Sequence, residues 1–99
     1  MSKMKPDVIA RIRMYTKEEG GKHKTITGEH FGCPFYYQHQ GFDCRLLLEN
    51  QLKIHAGDTV EVPITFLFAE DIKSRLKQGD TFTLWDQMTF AEGEILRVL

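Results

Sequence analysis

Val8-Ile9-Ala10-Arg11-Ile12-Arg13-Met14 places apolar Val8, Ala10, Ile12 and Met14 at every second position, with Ile9, Arg11, Arg13 and then Tyr15 between them. A period of two puts successive side chains on opposite faces of an extended chain, so this stretch reads as a strand with one buried and one basic face. The pattern returns in Phe42, Cys44, Leu46 and Leu48 against Asp43, Arg45 and Glu49, and again in Val60, Val62, Ile64 and Phe66. Phe35-Tyr36-Tyr37 opens a further strand ahead of a turn near Gln40-Gly41, and residues 81–85 and 90–98 complete the set, the last with a bend or bulge at Gly93. Polar residues 16–28, with Gly20-Gly21, form a loop, and His55-Ala56-Gly57-Asp58 a turn. Pro63 lacks the amide hydrogen of a ladder bond and predicts an edge or irregularity beside its strand.

Residues 69–78 leave the alternation. Ile72 and Leu76 are four apart, Glu70 and Asp71 come early, Lys73, Arg75 and Lys77 come late, and Gly79 can end the segment. That is the charge order of a short helix. Short strands at this spacing predict an all-β fold, a closed antiparallel barrel of about six strands with one short helix near residues 69–78.

A chain of 99 residues supports one core, so residues 1–99 are read as a single domain. Hydrophobic residues make up 41%, enough to fill a core, and the longest apolar run, residues 62–69, is far short of a membrane helix and includes Pro63 and Thr65. The opening Met1-Ser2-Lys3-Met4-Lys5-Pro6 lacks the apolar centre of a secretory signal, and a lone pair of cysteines fits reduced thiols, so a cytoplasmic location is expected.

Net charge is −1, yet residues 1–24 carry +4 and the remainder −5. Arg11, Arg13, Lys17, Lys22, His23 and Lys24 gather on the first strand's outer face and in the loop after it. They are candidates for contact with an RNA phosphate backbone, which needs cations and no base reading; the competing interpretation is a solvated face balanced by Glu18 and Glu19.

Candidate chemistry is sparse. His30, Cys33, His39 and Cys44 are possible metal donors, but their spacing matches no standard zinc pattern, and Cys44 shares the inward phase of Phe42 and Leu46. Cys33 with His30 or His39 would supply a nucleophile and base without an orienting carboxylate. On phase, Cys44→Ser is expected to destabilise the fold and Cys33→Ser to matter little. Glu92 and Glu94 have the spacing of paired carboxylates and equally that of exposed alternate strand positions. Trp85 and Phe90 flank a turn, where they serve either as an aromatic protein interface or as the closure of a barrel end. No metal, cofactor or catalytic residue is assigned.

Lys17-Glu18-Glu19-Gly20-Gly21-Lys22-His23, following an alternating strand, resembles the third, C-terminal β-barrel domain of translation elongation factor Tu. The likeness continues through Phe35-Tyr36-Tyr37, Gly57-Asp58 with Val60-Glu61-Val62, and residues 89–99 with Gly93 in register, which is nearly the whole chain. It implies a translation-factor-like barrel used as a stand-alone domain. It further implies that Lys22 and His23, presented by Gly20-Gly21, lie near transfer RNA. Gly32-Cys33-Pro34 replaces the family's Arg-Pro-Gln, and residues 85–91 replace its glycine-rich, arginine-bearing hairpin. The family's GTPase resides in a preceding domain, and no phosphate-loop pattern occurs in this sequence, so no GTP binding is expected. The expected function is a non-catalytic module for protein–protein interaction, with transfer RNA binding through residues 17–24 as the alternative.

Overall fold

The computed structural model describes residues 4–21 and 24–99. Six described strands, β1 (Val8–Met14), β2 (His30–Tyr37), β3 (Gln40–Leu47), β4 (Thr59–Phe66), β5 (Thr81–Trp85) and β6 (Thr89–Val98), close into an antiparallel barrel in the order β1-β4-β3-β2-β5-β6. The fold is the all-β barrel that the period-two segments predict.

Alternation fills the interior. Val8, Ala10, Ile12 and Met14 meet Cys44, Leu46, Val62, Ile64, Leu84 and Ile95 in one buried cluster. Phe35 lies at its centre, stacked on Phe82 at 4.2 Å and edge-on to Phe66 at 4.9 Å. Offset and edge-to-face pairs of this kind add to the free energy of burying the rings.

β1 carries the most complete pairing, running with β4 from Val8 to Arg13 and with β6 from Val8 to Met14. Two seams are short. β2 meets β5 only at Phe35↔Leu84 and Tyr36↔Thr83, and β3 meets β4 only at Cys44↔Phe66, Arg45↔Thr65 and Leu46↔Ile64. Pro63 stands one residue outside the β3 ladder, so its missing N–H takes nothing from that seam. Phe82 faces Gly93 across β5 and β6, and a Cβ on Gly93 would lie 2.3 Å from its ring. The glycine is required by this close approach.

Both barrel ends are plugged. Where β1 ends and β3 and β5 hand on to their successors, an isolated bridge joins Ile26 to Ile54, both buried. At the opposite end, residues 69–78 form two successive 3₁₀ turns, Ala69–Asp71 and Lys73–Arg75, separated by Ile72. The short helical segment therefore exists in the tighter form, and Ile72 and Leu76 insert into the core as the spacing requires. Asp7 ties this end down, accepting the Phe66 N–H at 2.8 Å and pairing with Lys73 at 3.6 Å.

Three sequence expectations are corrected. β2 begins at His30 and not at Phe35, which brings Cys33 into phase with Phe35 and Tyr37 and buries it. The β2–β3 turn is Gln38-His39, both in the left-handed region, so Gln40 and Gly41 already belong to β3. Phe90 is fully buried, edge-on to Phe31 at 6.1 Å, and so closes the barrel end where an interface role would need it exposed.

Candidate interaction surface

The turn carrying Lys17-Glu18-Glu19-Gly20-Gly21 is organised by Thr16 and Glu19. The Thr16 N–H donates to Glu19 Oε1 at 2.9 Å, and the Glu19 N–H donates to Thr16 Oγ1 at 3.3 Å, a reciprocal capping box. Gly20 adopts a φ of 92°, and Gly21 packs so closely that a Cβ would lie 2.7 Å from the Tyr15 carbonyl oxygen. The glycine pair is thus a structural requirement of the turn.

From this turn Glu19 reaches back to β1. Both its carboxylate oxygens accept from Arg13, at 2.8 and 3.0 Å. The Arg13 hydrogen bonds, with the Thr16 N–H, hold the Glu19 carboxyl down at about 2, and the Glu19 and Glu92 bonds raise Arg13 in return. Arg13 also pairs with Glu92 at 3.4 Å, while Arg11 lies between Glu94 at 3.7 Å and Glu61 at 3.9 Å. Four glutamates therefore meet two arginines on this wall, and the carboxylates at 92 and 94 serve as partners of exposed cations.

Of the other basic candidates, Lys17 and Lys24 are exposed, and Lys22 and His23 lie outside the described residues. The arginines of the first-strand face are thus paired with glutamates from neighbouring segments, where the sequence alone showed a basic stripe.

A groove of about 760 Å³ runs along this wall, bounded by Arg11, Arg13, Tyr36, Thr83, Glu92 and Glu94 among others. Outward on β5 are Thr81, Thr83 and Trp85, and Tyr36 faces Thr83 across the β2–β5 seam. Trp85 and Tyr36 are each 39% exposed, and Met88 at the hairpin tip is 37% exposed. Gln87, with a φ of 64°, and the Asp86 N–H donating to the Met88 carbonyl at 2.9 Å shape that tip. A second apolar spot, Leu67 and Phe68, lies at the other end of the barrel beside a recess of about 380 Å³ lined by Phe42, Asp43 and Asp71. The 69–78 segment and the Trp85 hairpin are at opposite ends of the barrel.

Of the candidate nucleophile and metal donors, Cys33 and Cys44 are register partners, and neither histidine joins them in an ion site among the described residues. His30 is exposed and Cys33 faces inward, while His39 occupies the turn beyond Tyr37. Among the described residues no group of three or more His, Cys, Asp or Glu is placed to share an ion. Sequence phase missed one polar pair: Tyr37 Oη donates to Asp80 at 2.7 Å, and this bond, followed by burial, raises the phenol above its usual range. No helix among the described residues is long and apolar enough to cross a membrane. No protein-family model matches the chain, and no curated protein matches it.

Proposed function

We propose that this domain is a non-catalytic protein-interaction module of the cytoplasm, a stand-alone translation-factor-like barrel whose working surface is the wall of β5 and β2 with the Trp85–Met88 tip. One observation carries the reading. Arg11 and Arg13, the strand residues best placed to meet a phosphate backbone, are each engaged by two glutamates, while Trp85, Tyr36 and Met88 stand exposed nearby. Phosphate binding requires uncompensated cations, because its free energy comes from release of condensed counterions. Exposed aromatics and methionine, by contrast, are the residues enriched at protein interfaces.

The test is recovery of binding partners from ribonuclease-treated and untreated extract by the wild type, Trp85→Ala and Lys22→Glu. A ribonuclease-insensitive protein captured by the wild type and Lys22→Glu, and lost with Trp85→Ala, is the expected result, since truncating an interface anchor typically costs about 2 kcal/mol or more. Transfer RNA recovered by the wild type and lost with Lys22→Glu would replace this reading with RNA binding through residues 17–24.

A further inference from the structure

Cys33 and Cys44 are direct register partners across the β2–β3 hairpin. Both face the core, at 6% and 2% exposure, and both are free thiols. Counting back from the closing pair Tyr37↔Gln40 of the two-residue turn, Pro34↔Asp43 falls at a pair without mutual hydrogen bonds, consistent with proline's missing N–H. Cys33↔Cys44 then falls at a hydrogen-bonded pair, where opposing Cα atoms are typically about 5.5 Å apart. That separation lies within the range disulfides span, and the Cβ atoms, about 5.5 Å apart at such a pair, need to draw together by about 1 Å to be bridged.

We infer that Cys33 and Cys44 form a redox-active dithiol, which hydrogen peroxide converts into a cross-strand disulfide inside the barrel. Peroxide is the oxidant that suits the site: it is scarcely larger than water, whereas burial shields these sulfurs from bulky disulfides. Cys33 is the attacking residue, because it is the more exposed of the two. Cys44 is the resolving residue. Its thiol lies on the strand position opposite Cys33, and the interaction with Cys33, followed by burial, holds it protonated well above the usual range.

The Cys33 thiolate attacks one peroxide oxygen, the O–O bond breaks, and the departing hydroxide leaves as water with the proton that Cys33 released. The Cys44 sulfur then attacks the Cys33 sulfenic acid, forming S–S and breaking S–O, and the Cys44 proton leaves in a second water. In sum, two thiols lose two electrons and one peroxide becomes two waters. The new bond closes the hairpin between Cys33 and Cys44, removing freedom from the unfolded chain. Cys44 also pairs with Phe66, so the clamp lies beside the short β3–β4 seam.

The experiment treats the folded wild type with hydrogen peroxide and maps cysteine-containing peptides without reduction. The expected product is an intramolecular Cys33–Cys44 peptide pair, lighter by two hydrogen atoms and restored by dithiothreitol. Its melting temperature should rise by roughly 10 °C over the reduced form. In Cys44→Ala, Cys33 should stop at a sulfenic acid that dimedone traps. Thiols that stay reduced while free glutathione is oxidised, disulfides only between molecules, or sulfinic acid at Cys33 with no bond to Cys44 would each overturn the inference. Mapping the wild type decides the matter even if the variant fails to fold.

Discussion

Gly93 has no side chain because Phe82 occupies the space where one would begin, with its ring 2.3 Å from the ideal Cβ position. Phe82 cannot yield easily, since its other side is stacked on Phe35. Gly93→Ala is therefore expected to cost about 1–3 kcal/mol, and Phe82→Leu should recover part of that loss in the double variant; urea unfolding of the four proteins measures the coupling. Additive losses would show that the ring moves freely. Tyr37 makes a second residue-scale prediction. Its hydroxyl donates to Asp80 and contacts the Arg75 carbonyl at 3.2 Å, so Tyr37→Phe should cost about 1–2 kcal/mol. A phenol whose folded pKa is raised stabilises fully below its unfolded value of 10.0 and loses that contribution as pH climbs through the folded one. The variant should accordingly lack part of the alkaline loss of stability seen in the wild type. The cysteines show what phase can hide at this scale: Gly32 and Pro34 flank Cys33 and mask its place in a strand, yet it faces inward and is buried, as Cys44 is. Cys33→Ser and Cys44→Ser should both destabilise, each by about 1–3 kcal/mol for a hydroxyl brought into the core.

At the scale of elements, the turn after β1 depends on one carboxylate with two tasks, capping Thr16 and clamping Arg13. The Glu19 carboxyl is depressed from 4.5 to about 2, so its contribution is complete above pH 4.5 and disappears as pH falls through about 2. Glu19→Gln should flatten the acid limb of the stability profile within that window, and added salt should shrink the difference because the pair is exposed. An unchanged limb would mean that the clamp is absent in solution. Most elements were legible because alternation is a local property: β1, β3 and β4 follow directly from Val8–Met14 and its counterparts. The helical segment was legible too, in the spacing of Ile72 and Leu76, although its division into two 3₁₀ turns at Ile72 was not. The start of β2 was not legible, since glycine and proline in His30–Tyr37 are signals of loops when read locally.

For the whole molecule, closure depends on unequal seams. β1 is laddered along both edges, while β2 and β5 share two register pairs, with the Phe35–Phe82 stack crossing between them. Hydrogen exchange should therefore be slowest in β1 and should open first along β2–β5, and Phe35→Ala should cost about 3–5 kcal/mol and loosen that seam above all. Equal protection around the barrel would contradict this. What the sequence alone determined is the set of strands, their inward residues and the barrel they imply, because a period of two states which face of each strand must leave water. The surface was decided only by the tertiary structure. Arg11 and Arg13 read as a basic stripe until Glu61, Glu92 and Glu94 arrive from strands distant in the chain, Phe90 stood open between interface and barrel closure until its burial against Phe31 chose closure, and Cys33 met Cys44 only when the hairpin set its register. Charge balance and contact between side chains are sums over neighbours in space, and in a closed barrel those neighbours come from segments that local pattern cannot pair.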